Sequence, residues 1–441
     1  MVKTNLIDTV VKQGLCTGCG ACVSECSSAS LSMDWNDYGF LTPKRNIETV
    51  DNDDLIRVCP FNPNPEEEVK DEDALADIFL KDASHYDEKV GRFENTYIGY
   101  SREFRVTSSS GGIATYIFEQ LLKQKKVDRL YVVKEINGTY EYQLFDDFEQ
   151  IKQISKTKYI PVTLESLFKE INNIHGKIAV SGVACFIKAV RLKQHYHPEL
   201  KDKIPFLIGI ICGGLKSRFF TDYLAQRAGV EGEYNRQDYR IKDAESLSSD
   251  YSFGVFDSNS NFRQMKMRNV GDMWGTGLFK SSACDFCTDV LTELADISLG
   301  DAWLEEYKKD GLGNSVVITR SKLASDLIIE GINNGELALS IVAAEKVIKS
   351  QSASFSHRQD AVKLRMLVRR IQGKIVPYVR KRVMKSISLP YKVVQLQRLQ
   401  TRRVSLDIWK REKTAKTFDM KMRMHLELLI FCTKVYHKLR R

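Results

Sequence analysis

The sequence predicts an α/β core with parallel strands, preceded by a small cysteine-rich domain and followed by a basic helical tail. Three observations carry that expectation: a cysteine run near the N-terminus, two strand–turn–helix units in mid-chain, and a change of charge balance near residue 360. The 441 residues are 43% hydrophobic and 28% charged. That is enough chain for two or three domains with a real core and too apolar for a disordered one. No apolar run approaches the roughly 20 residues of a membrane span. The first residues lack the apolar region of a secretory signal, so a cytoplasmic protein is expected.

The N-terminal zone, residues 1–70, holds five of the ten cysteines. In a cytosolic chain such usage points to metal ligation or redox chemistry rather than disulfides. Cys16, Cys19, Cys22 and Cys26 have the C-x2-C-x2-C-x3-C spacing of bacterial ferredoxins, and Gly18 and Gly20 let the backbone wrap closely around a cubane. In two-cluster ferredoxins the fourth cysteine of the run serves the other cluster, and the first cluster borrows a distant Cys-Pro. Cys59-Pro60 is such a pair. A second cluster built back from Cys59 would need cysteines where Leu55, Asn52 and Thr49 stand. The economical expectation is a ferredoxin-like domain with one [4Fe–4S] cluster on Cys16, Cys19, Cys22 and Cys59. Cys26 is the alternative fourth ligand, and zinc the competing metal. The turn-rich stretch from Cys59 to Pro65 closes the zone, and the acidic run from Glu66 to Asp77 reads as a solvated connector.

From about 95 to 350 strand-like and helix-like patterns alternate. Residues 177–182 form a short apolar strand, and Cys185 opens a helix over 186–193. Residues 205–211 form a second strand that ends at Cys212 and Gly213-Gly214, with a helix over 218–228. Strand–turn–helix repeated in this way calls for parallel strands, whose ligand sites gather at the carboxyl ends. Cys185 and Cys212 sit at that edge. With Cys284-Asp-Phe-Cys287 they offer four thiolates that could converge on zinc or an iron–sulfur cluster; isolated buried cysteines are the competing expectation.

Two further stretches are polar turns beside regular elements. Thr107-Ser108-Ser109-Ser110-Gly111-Gly112 leads into a helical pattern, as an anion site or as ordinary capping. Residues 295–303 read as a strand running into Gly300-Asp301-Ala302-Trp303, a pocket edge or a strand end with a core tryptophan.

The tail, 356–441, carries the basic character. Between 360 and 441 stand 23 Lys and Arg against 5 Asp and Glu, a net of +18, while the rest of the chain is net −9. Helical stripes such as Val362, Met366 and Leu389, Val393, Leu396 are broken at Pro377 and Pro390, and residues 420–436 show an apolar face through Leu426, Leu429 and Ile430. A basic amphipathic helix suits an anionic membrane surface; docking on the acidic body is the alternative, and no nucleic-acid recognition motif accompanies the charge.

In this order the pieces resemble the family of coenzyme F420 hydrogenase/dehydrogenase beta subunits over roughly residues 10 to 350. The resemblance rests on Cys-Thr-Gly-Cys-Gly-Ala-Cys from Cys16, Ser-Ser-Ser-Gly-Gly from Ser108, Thr-Lys-Tyr from Thr157, and Ser-Gly-Val-Ala-Cys ending at Cys185. Cys-Gly-Gly-Leu-Lys-Ser from Cys212, Cys-Asp-Phe-Cys-Thr-Asp from Cys284, Ala-Asp-Ile-Ser-Leu-Gly-Asp-Ala-Trp from Ala295 and Gly-Asn-Ser from Gly313 complete it. Departures are Ala184, where a proline is usual, and Gly213, where a histidine is usual. The resemblance implies a flavin domain over 95–350 that holds FAD, with Ser108 to Gly112 near its phosphates and Lys158 and Asp301 beside it. It also implies a second [4Fe–4S] cluster on Cys185, Cys212, Cys284 and Cys287. The implied activity is electron exchange between a ferredoxin-like one-electron carrier and a two-electron substrate. An electron-transfer subunit serving a partner enzyme and a zinc-stabilised interaction protein are the competing functions. The sequence also resembles proteins found in bacterial polysaccharide-assembly loci, which implies such a context by association alone. A cytoplasmic protein, peripheral at the membrane through its tail, is the expected setting.

Overall fold

The computed structural model describes residues 5–26, 30–46 and 54–440. Its centre is an eight-stranded sheet: β1 (Asn95–Ser101), β2 (Arg129–Ile136), β3 (Thr139–Phe145), β4 (Ile178–Val183), β5 (Phe206–Ile210), β6 (Ile297–Asp301), β7 (Ser315–Thr319) and β8 (Leu337–Ile341). The spatial order is β8-β1-β7-β6-β5-β4-β2-β3. The expected parallel arrangement holds for the central run β6-β5-β4-β2. Antiparallel strands flank it on both sides. β4 and β5 are covered on both faces, which is why their sequences are apolar without alternation.

Register fixes the edge that matters. Val183 pairs with Ile210 at the ends of β4 and β5. Cys185 and Cys212 each lie two residues beyond that pair, so the parallel alignment carries both to one edge of the sheet. Helix α1 (Ile113–Lys123) follows the Ser-Ser-Ser-Gly-Gly turn, α2 (Ala184–Tyr196) opens on Cys185, and α3 (Arg218–Arg227) follows β5. Gly209 in β5 has a packing reason: a Cβ there would stand 2.5 Å from Thr292 Cγ2 and 2.7 Å from the Ala295 Cβ. The chain just beyond the C-x2-C pair therefore lies directly on the sheet.

The N-terminal unit has a 3-10 turn at Ala21–Glu25 and a hairpin of Leu31–Trp35 with Leu41–Arg45. Leu15, Val23 and Leu31 share one apolar core with Ile187 and Val190 of α2. The Leu164 N–H donates to the Cys19 carbonyl at 3.0 Å. Glu25, nearly fully buried, ion-pairs with Lys193 and approaches His197 Nε2 at 3.0 Å. These contacts pin the cysteine run against α2.

The acidic connector is solvated only at its ends, where Glu66, Glu67, Glu68 and Asp77 are exposed. Glu72 and Asp73 begin a helix, Glu72–Phe79, and face Arg380, whose side chain is fully buried. Arg380 lies 3.3 Å from Glu72, 3.0 Å from Asp73 and 2.7 Å from Glu293. Charge in the basic tail is thus spent inside the protein, on the acidic body. Arg358, Arg365 and Arg369 are buried too. The tail's first helix, α4 (Val362–Ile371), packs its Val362 and Met366 into the core it shares with the N-terminal unit.

Beyond it α5 (Leu389–Glu412) and α6 (Ala415–Arg440) form an antiparallel hairpin. Tyr391 stacks on Tyr436 at 4.7 Å, and Trp409 meets Phe418 at 5.5 Å. Pro390 does not break a helix: it stands in the first turn of α5, where its missing N–H costs nothing.

Candidate functional site

The N-terminal thiols come together without Cys26. The Cys22 thiol is influenced by Cys19, Cys16 and Cys59, and Cys59 in turn by Cys19 and Cys16. Cys26 instead directs its Sγ to the Val23 carbonyl at 3.4 Å. Burial, with neighbouring Cys19, pushes Cys16 up to about 12; burial is also the main cause of the rise at Cys19, Cys22 and Cys59. Without a metal, such thiols remain protonated, because each further thiolate would sit unsolvated beside the others. Cationic iron is the natural relief for that donor set.

The second set also converges. Cys185, Cys212, Cys284 and Cys287 line one small internal cavity. Cys185 is raised by burial and then by Cys287, Cys284, Cys212 and, beyond its own set, Cys19. The two thiol groups are therefore neighbours. Among the described residues no group of three or more His, Cys, Asp or Glu side chains could hold a single metal ion. Four thiols that share a cavity are a soft donor set, which suits an iron–sulfur cluster or zinc.

Donors surround the core set. The Gly214 N–H points to Cys212 Sγ at 3.2 Å and the Leu215 N–H to Cys284 Sγ at 3.1 Å. Arg358 reaches Cys287 Sγ at 2.5 Å, the Cys287 carbonyl at 3.0 Å, the Cys212 carbonyl at 2.8 Å and the Asp289 carbonyl at 2.7 Å. Lys280, buried, pairs with Asp285 at 2.9 Å and acts on both Cys212 and Cys284. Sequence reasoning missed Arg358, which stands just ahead of the basic stretch 360–441; nothing in its spacing ties it to Cys287.

Cys212, Gly213 and Arg358 also line the large cavity of the protein, about 770 Å³. Most of the turn expected to meet an anion opens on it: Ser108, Ser109, Ser110 and Gly112 line it, and Gly111 does not. The hydroxyls are largely engaged within the protein. Ser108 Oγ meets Thr115 Oγ1 at 3.0 Å, Ser109 Oγ accepts from the Thr157 N–H at 2.8 Å, and Ser110 Oγ donates to the Asn314 carbonyl at 3.2 Å. What remains for a ligand is backbone. Gly112 takes a positive φ of 84° at the head of α1, and the first turn of a helix leaves N–H groups free.

Lys158 stands in this cavity beneath Tyr140, 4.4 Å from the ring centroid, and burial lowers it to about 8. Asp301 pairs with Arg240 at 2.6 Å on the same wall. Trp303 is 43% exposed and lines the cavity rather than the core. Cations with aromatic rings and free helix N–H groups make a lining for a large, flat, anionic ligand. The residues present fit a flavin dinucleotide.

Fold and site together define an α/β protein with one thiol quartet at the carboxyl edge of the parallel run of its sheet, a second quartet beside it, and a large cavity lined by cations and aromatic rings next to the first. Comparison places it further. Residues 96–169 match the family described as coenzyme F420 hydrogenase/dehydrogenase, beta subunit N-term, and residues 175–345 its C-terminus counterpart. The chain belongs to the family of coenzyme F420 hydrogenase/dehydrogenase beta subunits. Among curated relatives, the beta subunit of the coenzyme F420 hydrogenase of Methanosarcina barkeri is 26% identical over 267 residues, 57% of this chain and 86% of that protein. A subunit of the F(420)H(2) dehydrogenase of Methanosarcina mazei is 20% identical over 70% of this chain and 82% of that protein. Coenzyme F420-dependent sulfite reductase of Methanocaldococcus jannaschii is 22% identical over 75% of this chain and 49% of that protein. A chain of the F420-reducing [NiFe] hydrogenase complex from Methanosarcina barkeri has the same fold, with a TM-score of 0.51 and 18% identity over 67% of this chain and 99% of that one. The N-terminal cysteine run and Arg358 both lie outside the family-matched residues.

Proposed function

We propose that the protein is an iron–sulfur flavoprotein oxidoreductase that passes electrons between a ferredoxin-like one-electron carrier and a two-electron substrate. The proposed ligands are Cys16, Cys19, Cys22 and Cys59 for one [4Fe–4S] cluster, in a ferredoxin-type domain over 1–70, and Cys185, Cys212, Cys284 and Cys287 for a second. FAD would occupy the cavity of the 95–350 domain. Clusters exchange single electrons and a flavin exchanges one or two, which is the chemistry the bound groups supply.

The chain's own residues do the rest. The N–H groups of Gly112 and the first turn of α1 hold phosphate, Lys158 balances negative charge, and the Arg240–Asp301 pair fixes the wall. Arg358 orients the Cys287 side chain and ties the ends of both cysteine segments. One observation carries the proposal: the cavity enclosed by the four core thiols and the 770 Å³ cavity share Cys212, Gly213, Gly214 and Arg358.

Anaerobic purification with iron, sulfide and flavin analysis tests it; a protein with zinc or no metal, and no flavin uptake, refutes it. A second reading, a subunit that only relays electrons to a partner enzyme, draws on relatives that are named as subunits and on a similar chain within a hydrogenase complex. Substrate turnover by the isolated protein, or its absence despite full loading and a co-purifying partner, separates the two.

A further inference from the structure

The C-terminal hairpin presents a surface that the redox reading does not use. On α6, Met420, Met424, Leu428, Phe431, Val435 and Leu439 recur at steps of four, four, three, four and four residues. At 100° per residue they fall within one side of the helix, over roughly 29 Å of its length. They are exposed, Met420 at 69%, Met424 at 71% and Phe431 at 63%. The opposite side is the packed one: Phe418, Met422 and Leu429 are buried. The helix therefore has two apolar faces, and the body needs only one.

Cations accompany the outer face. Residues 389–441 carry 14 Lys and Arg against 4 Asp and Glu. Lys421 and Arg423 project near the stripe and bind Glu412 and Glu427, while Lys434 and Lys438 near its far end form no ion pair among the described residues. Among those residues, too, no helix is long and apolar enough to cross a membrane. An apolar stripe of this length edged by lysines lies in an interface plane, with its side chains among acyl chains and its ammonium groups at the headgroups.

We infer that α6 docks the protein on an anionic lipid bilayer. A second copy of the chain fits less well. Two such stripes laid together would bring like-charged edges face to face, whereas anionic headgroups supply the opposite charge without a fixed register.

Co-sedimentation of the full-length protein with vesicles tests this. One vesicle is phosphatidylcholine alone, the other an equal mixture with phosphatidylglycerol. The expected result is at least tenfold tighter binding to the mixture, weakened by added salt. The double variant Met424→Ser/Phe431→Ser should lose tenfold or more while circular dichroism and the melting temperature stay unchanged, because both side chains are exposed. Lys434→Glu/Lys438→Glu should lose the preference for phosphatidylglycerol and serves if the first variant misfolds. The inference is overturned by failure to bind either vesicle, by equal binding to both, or by stripe variants that bind like the parent. A dimer in light scattering that the Met424→Ser/Phe431→Ser variant dissolves would assign the face to a second copy and overturn it equally.

Discussion

The two thiol quartets are near neighbours in different surroundings. Around the N-terminal set, backbone N–H groups of Gly18, Ala21 and Phe61 act on Cys16, Cys19 and Cys59, Lys188 acts on Cys59, and the walls are apolar residues such as Leu15, Val23 and Val58. Around the core set stand Arg358, Lys280, Lys216 and two backbone N–H groups. Both sets receive backbone N–H groups, so the difference lies in the cations, and nearby positive charge favours the reduced, more negative state of a cluster. The same ligand chemistry should therefore give two potentials, the higher at the core. With the proposed clusters bound, electrons would run downhill from the N-terminal side toward the cavity.

The largest effects come from deleting ligands. Cys284→Ser should remove the core cluster, about half the iron, and the higher-potential step in an anaerobic titration followed by electron paramagnetic resonance. Cys59→Ser should remove the other half and the lower step, and Cys26→Ser neither. Equal potentials in the parent protein would break the comparison outright. Next in size is Arg380→Ala, which takes from Glu293 its closest cation, leaving Arg382 at 3.4 Å, and leaves Glu72 with Lys188 alone at 3.2 Å; it should cost about 3 kcal/mol in denaturant unfolding. It loosens the clamp between the acidic helix, the chain after the C-x2-C and the tail. Arg358→Leu is expected to act more narrowly. Losing its donor and charge at Cys287 should lower the core potential by at least a factor of ten in the reduction equilibrium, about 59 mV for one electron. The N-terminal potential should stay in place. Arg358→Lys should recover part of the shift through charge alone.

Much of this site could be read in the sequence. The C-x2-C-x2-C run, the Cys-Pro and the strand-end cysteines have local signatures, and parallel pairing follows from uninterrupted apolar strands such as β4. The sign of residues 66–77 was legible, but the inward turn of Glu72 was not, because it is drawn in only once Arg380, some three hundred residues away, returns to it. Arg358 is hidden for the same reason. Charge counting treats the tail as one block, whereas the fold turns Arg358, Arg365, Arg369 and Arg380 inward and leaves the apolar stripe of α6 outside. The antiparallel flanks of the sheet were missed as well: β3 follows β2 through Asn137-Gly138, a turn signal the sequence carries, whereas β1 pairs with β7 and β8 across most of the domain and no local turn announces it.

The smallest effect concerns the cavity on the cationic side of the comparison. Lys158 is lowered to about 8 by burial first and by Lys156 after it, with Asp238 and Glu135 opposing. It is a cation below that pH and neutral above it. A bound phosphate favours the cation, so affinity for FAD should be full below pH 8 and fall as pH rises through it, by at most tenfold per pH unit. The apoprotein should respond with the opposite sign. Between about 8 and the ordinary lysine value, the unfolded chain holds a proton that the folded one has released, so stability should rise with pH there. Lys158→Met should flatten both dependences and weaken FAD several-fold at pH 7, read by flavin fluorescence quenching. The two cluster potentials should not move. A shift of the core potential in this variant would place Lys158 with Arg358 and Lys280 around the thiols instead of with the anion end of the cavity.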